Sequence, residues 1–119
     1  PHFTAKGAKV QHTLLSEGCE IAGNVSESVL FSDVKVAKNA NVEYSILMPG
    51  AVVEEGANVR YAIVASGAVI AKGASIGAGP SECDVDKWGV AVVAENVRIG
   101  ENVKLAAKEM ADEDIPDAE

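Results

Sequence analysis

Aliphatic residues recur along this chain in three columns, at a spacing that is neither helical nor strictly alternating. The first column reads Val10, Val25, Val42, Val59, Ile76; the second Leu15, Leu30, Leu47, Val64; the third Ile21, Val36, Val53, Ile70. From the second coil on, each step down a column is 17 residues, after an opening step of 15. Within a coil the steps are 5 and then 6, so an inward aliphatic comes about every six residues. A fixed period of this kind predicts a repeat architecture in which no coil can bury its apolar face without its neighbours.

The positions between the columns fit the same frame. Small side chains such as Ala8, Thr13, Cys19, Gly23, Ser28, Ala40, Ser45, Ala51 and Ala57 stand two residues before column members. Three residues after the second column come Gly18, Asp33, Gly50 and Gly67; three after the third come Asn24, Asn39, Gly56 and Gly73. Gly, Asn and Asp tolerate positive φ, so both series predict sharp corners between short flat strands. The expected fold is all-β: a triangular parallel β-helix with one hexapeptide per face.

The period breaks once. The stretch from Gly79 through Pro80, Cys83 and Trp88 to Gly89 carries no repeat, and the columns resume at Val93, Ile99 and Leu105. Val64 to Val93, Ile70 to Ile99 and Ile76 to Leu105 are each 29 residues, 12 more than the regular step. One loop of 12 extra residues, about 79–90, is therefore inserted into a coil. The domain expectation is a β-helix of about six coils over residues 1–106, followed by an acidic tail over 107–119.

Composition narrows the partners. The chain has 119 residues and a formal charge of −8, which argues against nucleic acid or an anionic membrane surface. Six acids crowd the last eleven residues (Glu109, Asp112, Glu113, Asp114, Asp117, Glu119), a segment without a column residue that reads as a solvated tail and could cap the open end of the last coil. No apolar run approaches the ~20 residues that cross a bilayer, and no signal peptide is expected. Cys19 takes a small inward position and Cys83 lies in the insert; two unmatched cysteines read as reduced thiols of a cytoplasmic protein.

Candidate chemistry is sparse. A prism acyltransferase needs a histidine base in a groove between prisms well down the rod, whereas His2 lies in the entry segment and His12 is expected on a face of the first coil. Prism carbonic anhydrases hold zinc with three histidines, one more than this chain has. Gly73, Gly77 and Gly79 read as corner glycines, since no helix pattern follows them to make a phosphate cradle. Glu82, Cys83, Asp84 and Asp86 mix hard and soft donors on a Pro/Gly-bounded loop and read as a solvated turn. Lys38, Glu55 and Lys72 should stack along one edge, and Glu43 should lie over Arg60. An anionic effector would find its contacts among Arg60, Lys72, Arg98 and Lys104, while Trp88 either packs the insert back on the prism or fills a protein contact. No catalytic, cofactor-binding or metal-binding residue is assigned.

More specific are Leu14-Leu15-Ser16-Glu17-Gly18-Cys19 followed by Ser28-Val29-Leu30, Tyr44-Ser45-Ile46-Leu47-Met48-Pro49-Gly50, and Tyr61-Ala62-Ile63-Val64. These segments, with the opening Pro1-His2-Phe3, resemble the C-terminal β-helix of the glucose-1-phosphate adenylyltransferase (ADP-glucose pyrophosphorylase) family of bacterial glycogen synthesis, over about residues 1–106. The resemblance implies a left-handed β-helix, a hand that spacing does not fix and that runs against the usual right-handed crossover. It also implies a cytoplasmic parent nucleotidyltransferase that joins ATP and glucose 1-phosphate into ADP-glucose and pyrophosphate with Mg²⁺. In that family the prism supports tetramer assembly and contributes to effector sites against the catalytic domain. No catalytic-domain motif falls on this chain, so it is expected to make no ADP-glucose alone. Its implied partners are its own upstream catalytic domain and further copies or a related subunit. The alternatives are a small trimeric hexapeptide acyltransferase and the prism of another sugar-nucleotide pyrophosphorylase.

Overall fold

A computed structural model describes residues 3–119 of the chain. Each column of the sequence becomes one six-stranded sheet, and every strand pair is parallel. The first sheet stacks Lys9–Gln11, Asn24–Ser26, Asn41–Glu43, Asn58–Arg60, Ser75–Ile76 and Lys104–Leu105. The second stacks Leu14–Leu15, Val29–Leu30, Ile46–Leu47, Ala62–Val64, Ala91–Val93 and Met110–Ala111. The third stacks Phe3–Thr4, Glu20–Ile21, Lys35–Val36, Val52–Val53, Val69–Ile70 and Arg98–Ile99. The chain visits the three sheets in turn, once per coil, and the result is an all-β, left-handed parallel β-helix of about six coils.

Column residues face each other rung on rung: Val25 on Val42 on Val59, Leu30 on Leu47 on Val64, Val36 on Val53 on Ile70. All nine are 2% exposed or less, and the small positions beside them (Ala40, Ala51, Ala57, Ala68, Ala74) are fully buried. A narrow prism has room for one branched aliphatic per strand and a methyl at each corner. Burying such an aliphatic stabilises by about 1.5–3 kcal/mol before entropy is set against it. Val64 pairs with Val93, Ile70 with Ile99 and Ile76 with Leu105, so the register resumes after the insert where the 29-residue spacing places it.

Two of the three corners follow the expected chemistry. Gly18, Asp33, Gly50, Gly67 and Asn96 on one edge, and Asn39, Gly56, Gly73 and Asn102 on another, all have positive φ. Asn24 departs from expectation. The corner before it is two residues shorter than its successors, so Gly23 fills the turn and Asn24 moves onto the first sheet. Gly23 is buried with the carbonyl oxygens of Ala37 and Ala40 only 2.5 Å from where a Cβ would stand. Asn24 instead starts an amide ladder, donating to Asn41 Oδ1 at 3.1 Å, while Asn41 donates to Asn58 Oδ1 at 3.1 Å.

The solvated tail expected over 107–119 is also corrected. Met110–Ala111 adds the last strand to the second sheet, with Ala111 buried beside Val93, and Ile115 bridges Ile99 of the third. The acids have a structural cause. The last coil presents an open edge of N–H groups, and carboxylates cover it: Asp114 Oδ1 accepts from Arg98 N–H at 2.8 Å and Asp117 Oδ1 from Glu101 N–H at 2.7 Å.

Candidate functional site

The third corner, between the first and second sheets, is where the chain departs most from a plain repeat. His12, Glu27, Tyr44 and Tyr61 occupy equivalent places on successive coils, and all four have φ between 46° and 51°. A bulky residue in that region costs about 1–2 kcal/mol, and neither Glu nor Tyr announces it. Hydroxyls explain how the corner holds. Thr13, Ser28 and Ser45, each following one of these residues, donate to the carbonyl two residues back, at 2.7–2.8 Å. Each oxygen also accepts an N–H from the next coil: Ser28 N–H to Thr13 Oγ1, Ser45 N–H to Ser28 Oγ, Ala62 N–H to Ser45 Oγ. The series ends at Ala62, because after the insert the Ala91 N–H donates directly to the Tyr61 carbonyl at 3.1 Å. These hydroxyls read in the sequence only as small residues.

Outside that ladder the side chains stack. The Tyr44 and Tyr61 rings lie parallel, 4.8 Å apart, and Trp88 meets Tyr61 edge-on at 5.6 Å. Trp88 Nε1 also donates to the Ala78 carbonyl at 2.8 Å, which pins the end of the insert to its start. The indole thus packs the loop onto the prism and lies half-buried. At the start of the insert, Pro80–Glu82 forms a single 3-10 turn whose Glu82 accepts from Gly79 N–H at 2.7 Å and binds Arg60 at 2.9 and 3.1 Å. The Gly79 N–H first, and the Arg60 guanidinium second, hold the Glu82 carboxyl below its ordinary range.

Below Tyr44 a shallow groove runs along this edge, lined by His12, Leu14, Glu27, Val29, Ile46 and the Tyr44 ring. His12 does have a carboxylate partner, Glu27 Oε1 at 2.7 Å, which the sequence did not reveal; its side chain is 79% exposed. His2 lies outside the described residues.

The four candidate anion contacts are not brought together. Arg60 and Lys104 project from the first sheet, Arg98 from the third, and Lys72 from the corner between them. Arg60 is taken by Glu82, and Arg98 Nη1 by Asp117 at 3.1 Å. Asp117 is held below the usual carboxylate range by the Glu101 N–H first and Arg98 second. Arg60 does lie beside Glu43 in register, but its guanidinium turns to the insert instead. Among the described residues no Lys72 or Lys104 ion pair forms, and no group of three His, Cys, Asp or Glu side chains converges as a metal site would require; Glu82, Cys83, Asp84 and Asp86 are no exception. No helix among them is long and apolar enough to cross a membrane.

Residues 2–91 match the family profile described as "GlmU-like, C-terminal hexapeptide". The glucose-1-phosphate adenylyltransferase of Bacillus subtilis (strain 168) is 51% identical over 39 residues, which are 33% of this chain and 10% of that protein. The protein of the same name from Fusobacterium nucleatum subsp. nucleatum is 40% identical over 40 residues, 34% of this chain and 10% of the relative. The matched stretch is thus about a tenth of the length of these relatives. Among solved structures, the acetyltransferase domain of PglB from Neisseria gonorrhoeae FA1090 covers 98% of this chain and 52% of its own, at 18% identity and a TM-score of 0.43, a likeness too loose to argue from.

Proposed function

The chain belongs to the GlmU-like C-terminal hexapeptide family, and from that premise we propose that it is the β-helical assembly and regulatory domain of a glucose-1-phosphate adenylyltransferase. The observation that carries the reading is the 39-residue stretch shared at 51% identity with an enzyme of that name. The parent would join ATP and glucose 1-phosphate into ADP-glucose and pyrophosphate in the cytoplasm, on a catalytic domain outside this chain. Mg²⁺ and ATP do not fit the residues described here, since no carboxylate group converges to hold the ion, and no chemical step is derived through them. The prism's part is to hold subunits together, most simply as a tetramer of copies or related chains, and to sense an anionic effector. Lys72 and Lys104 are the cations open to that effector, whereas at Arg60 and Arg98 it would first displace a carboxylate. The test is a chimera in which this chain replaces the matching prism of the Bacillus subtilis enzyme. It should make ADP-glucose with the parent's oligomeric mass. A chimera that is active but monomeric, or ADP-glucose made by this chain alone, overturns the reading.

One observation favours a second reading, a hexapeptide acyltransferase: the His12–Glu27 pair beside the groove has the form of an oriented base. Acetyl-CoA turnover abolished by His12→Ala would establish it; no turnover with small hydroxyl and amine acceptors would remove it.

A further inference from the structure

The outer face of the second sheet is apolar from end to end. Alternation along its strands turns Leu15, Leu30, Leu47, Val64, Val93 and Ala111 inward, so their neighbours Leu14, Val29, Ile46, Ile63, Val92 and Met110 point out. Leu14 is 71% exposed, Met110 63% and Ile46 39%; the other three are half-buried. A second outward row beside it contains Phe31, 39% exposed, and Met48. The fold does not require this. The equivalent row of the first sheet is Lys9, Asn24, Asn41, Asn58, Ser75 and Lys104, and it forms the same parallel ladder with polar side chains. The third sheet mixes Glu20, Lys35 and Arg98 with Phe3, Val52 and Val69 in its outward row. This six-residue row of the second sheet is thus kept free of charge in a chain that is 24% charged, while the row beside it runs from Ser16 to Asp112. A contiguous apolar patch of this kind marks an interaction surface.

We propose that this face pairs with the same face of a second copy about a two-fold axis. Six rungs ~4.8 Å apart make a face about 25–30 Å tall and, with both rows, about 15–20 Å wide. A pair would bury about 750–1,200 Å² in total, at or below the lower edge of specific interfaces, which suits a weak, reversible dimer. An amphipathic helix, about 10 Å across, would cover one row and leave Phe31 and Met48 wet. A second copy covers both, because a two-fold operation presents an identical flat surface with the same rung spacing. Charge points the same way. With −8 on each chain, copies repel across any face that carries acids, and the described face carries none on its six-residue row. Trp88, turned toward Tyr61 and Ala78, borders the contact instead of filling it.

The inference deepens the assembly role proposed above, and its test is independent of the nucleotidyltransferase chimera. Sedimentation velocity of the chain from about 5 to 200 µM should show a monomer–dimer equilibrium. Ile46→Glu with Ile63→Glu should weaken it at least a hundredfold, while Asn58→Glu on the first sheet leaves it unchanged. Both side chains point outward, so circular dichroism should show an intact fold. Should the double variant not fold, Ile46→Cys in a Cys83→Ser background supplies the second arm: oxidation should give a covalent dimer, and Asn58→Cys in the same background should not. A dimer that survives the double substitution, or that cross-links through Asn58→Cys and not Ile46→Cys, overturns this face but leaves assembly standing. A wild-type chain that stays monomeric at about 200 µM overturns the pairing itself; the chimera's failure would instead overturn the enzyme assignment.

Discussion

Replacing Ser45 with alanine isolates the hydroxyl ladder of the third corner. Ser45 is 3% exposed and Ala62, the next coil's recipient of its oxygen, 2%. The substitution removes two bonds, one donated to the Glu43 carbonyl at 2.8 Å and one accepted from the Ala62 N–H at 3.3 Å. Their losses are unequal. The Glu43 carbonyl keeps the Tyr61 N–H at 3.1 Å, whereas the Ala62 N–H has no other acceptor and is shut off from water. An orphaned buried donor costs about 1–3 kcal/mol, and the surviving bond makes the carbonyl's share small, so the net loss should be about 2 kcal/mol. For a chain of this size that is a fall in Tm of about 6–10 °C. Urea unfolding followed by far-UV circular dichroism reads it, with an unchanged m-value showing that only stability has moved. Ser75→Ala, an outward serine of the first sheet, serves as control and should stay within about 0.5 kcal/mol. Ala62→Ser should gain nothing, because the N–H it would serve already reaches the Tyr61 carbonyl. A Ser45→Ala loss no larger than the control's would refute the ladder as the support of this corner.

Gly77→Ala and Gly56→Ala share the strain of φ near 77° and 71°, about 1 kcal/mol each. At Gly77 the new Cβ also runs into the Arg60 carbonyl oxygen while at Gly56 it meets nothing, so Gly77→Ala should lose at least 1–2 kcal/mol more, roughly the cost of overpacking; equal losses by chemical denaturation would discard the argument. Glu82 and Asp117 both have lowered folded-state pKa values, so the stability they supply is full above the ordinary carboxylate range and falls away as pH drops through those lowered values. Asp117→Asn should flatten the acid limb of Tm against pH below about 4, and an acid limb identical to wild type would count against the tail as a cap. Trp88→Ala should speed proteolytic nicking between 79 and 90 several-fold with the prism still folded, and an unchanged cleavage rate would mean that the indole does not fasten the insert.

What the sequence revealed and what it hid divide along one line. The inward columns were legible because a narrow prism admits only aliphatic and small side chains there, so the 17-residue period shows through at Val42, Val59 and Ile76 without help from distant contacts. Two corners were legible for the same reason, since Gly, Asn and Asp declare positive φ. The third was not, because Tyr44 and Tyr61 hold positive φ through hydroxyls and ring stacking that no single-residue preference encodes. The cap is only partly signalled: Ala111 lies 18 residues after Val93 and Ile115 16 after Ile99, close to the period, but the six acids around them have the composition of a solvated tail. The same blindness affected the candidate site. The spacing of Arg60 and Arg98 places them on the prism, yet their partners Glu82 and Asp117 come from the two segments that do not repeat, whose placement no period fixes. Those carboxylates bind the arginines to closing the insert and the cap. The outward row from Leu14 to Met110 stands in the sequence one residue before each second-column member, and lines up as a face only once the sheets are stacked. Within the described prism its apolar character serves no purpose that the asparagine ladder of the first sheet does not serve as well, and that difference is what makes it the surface to test.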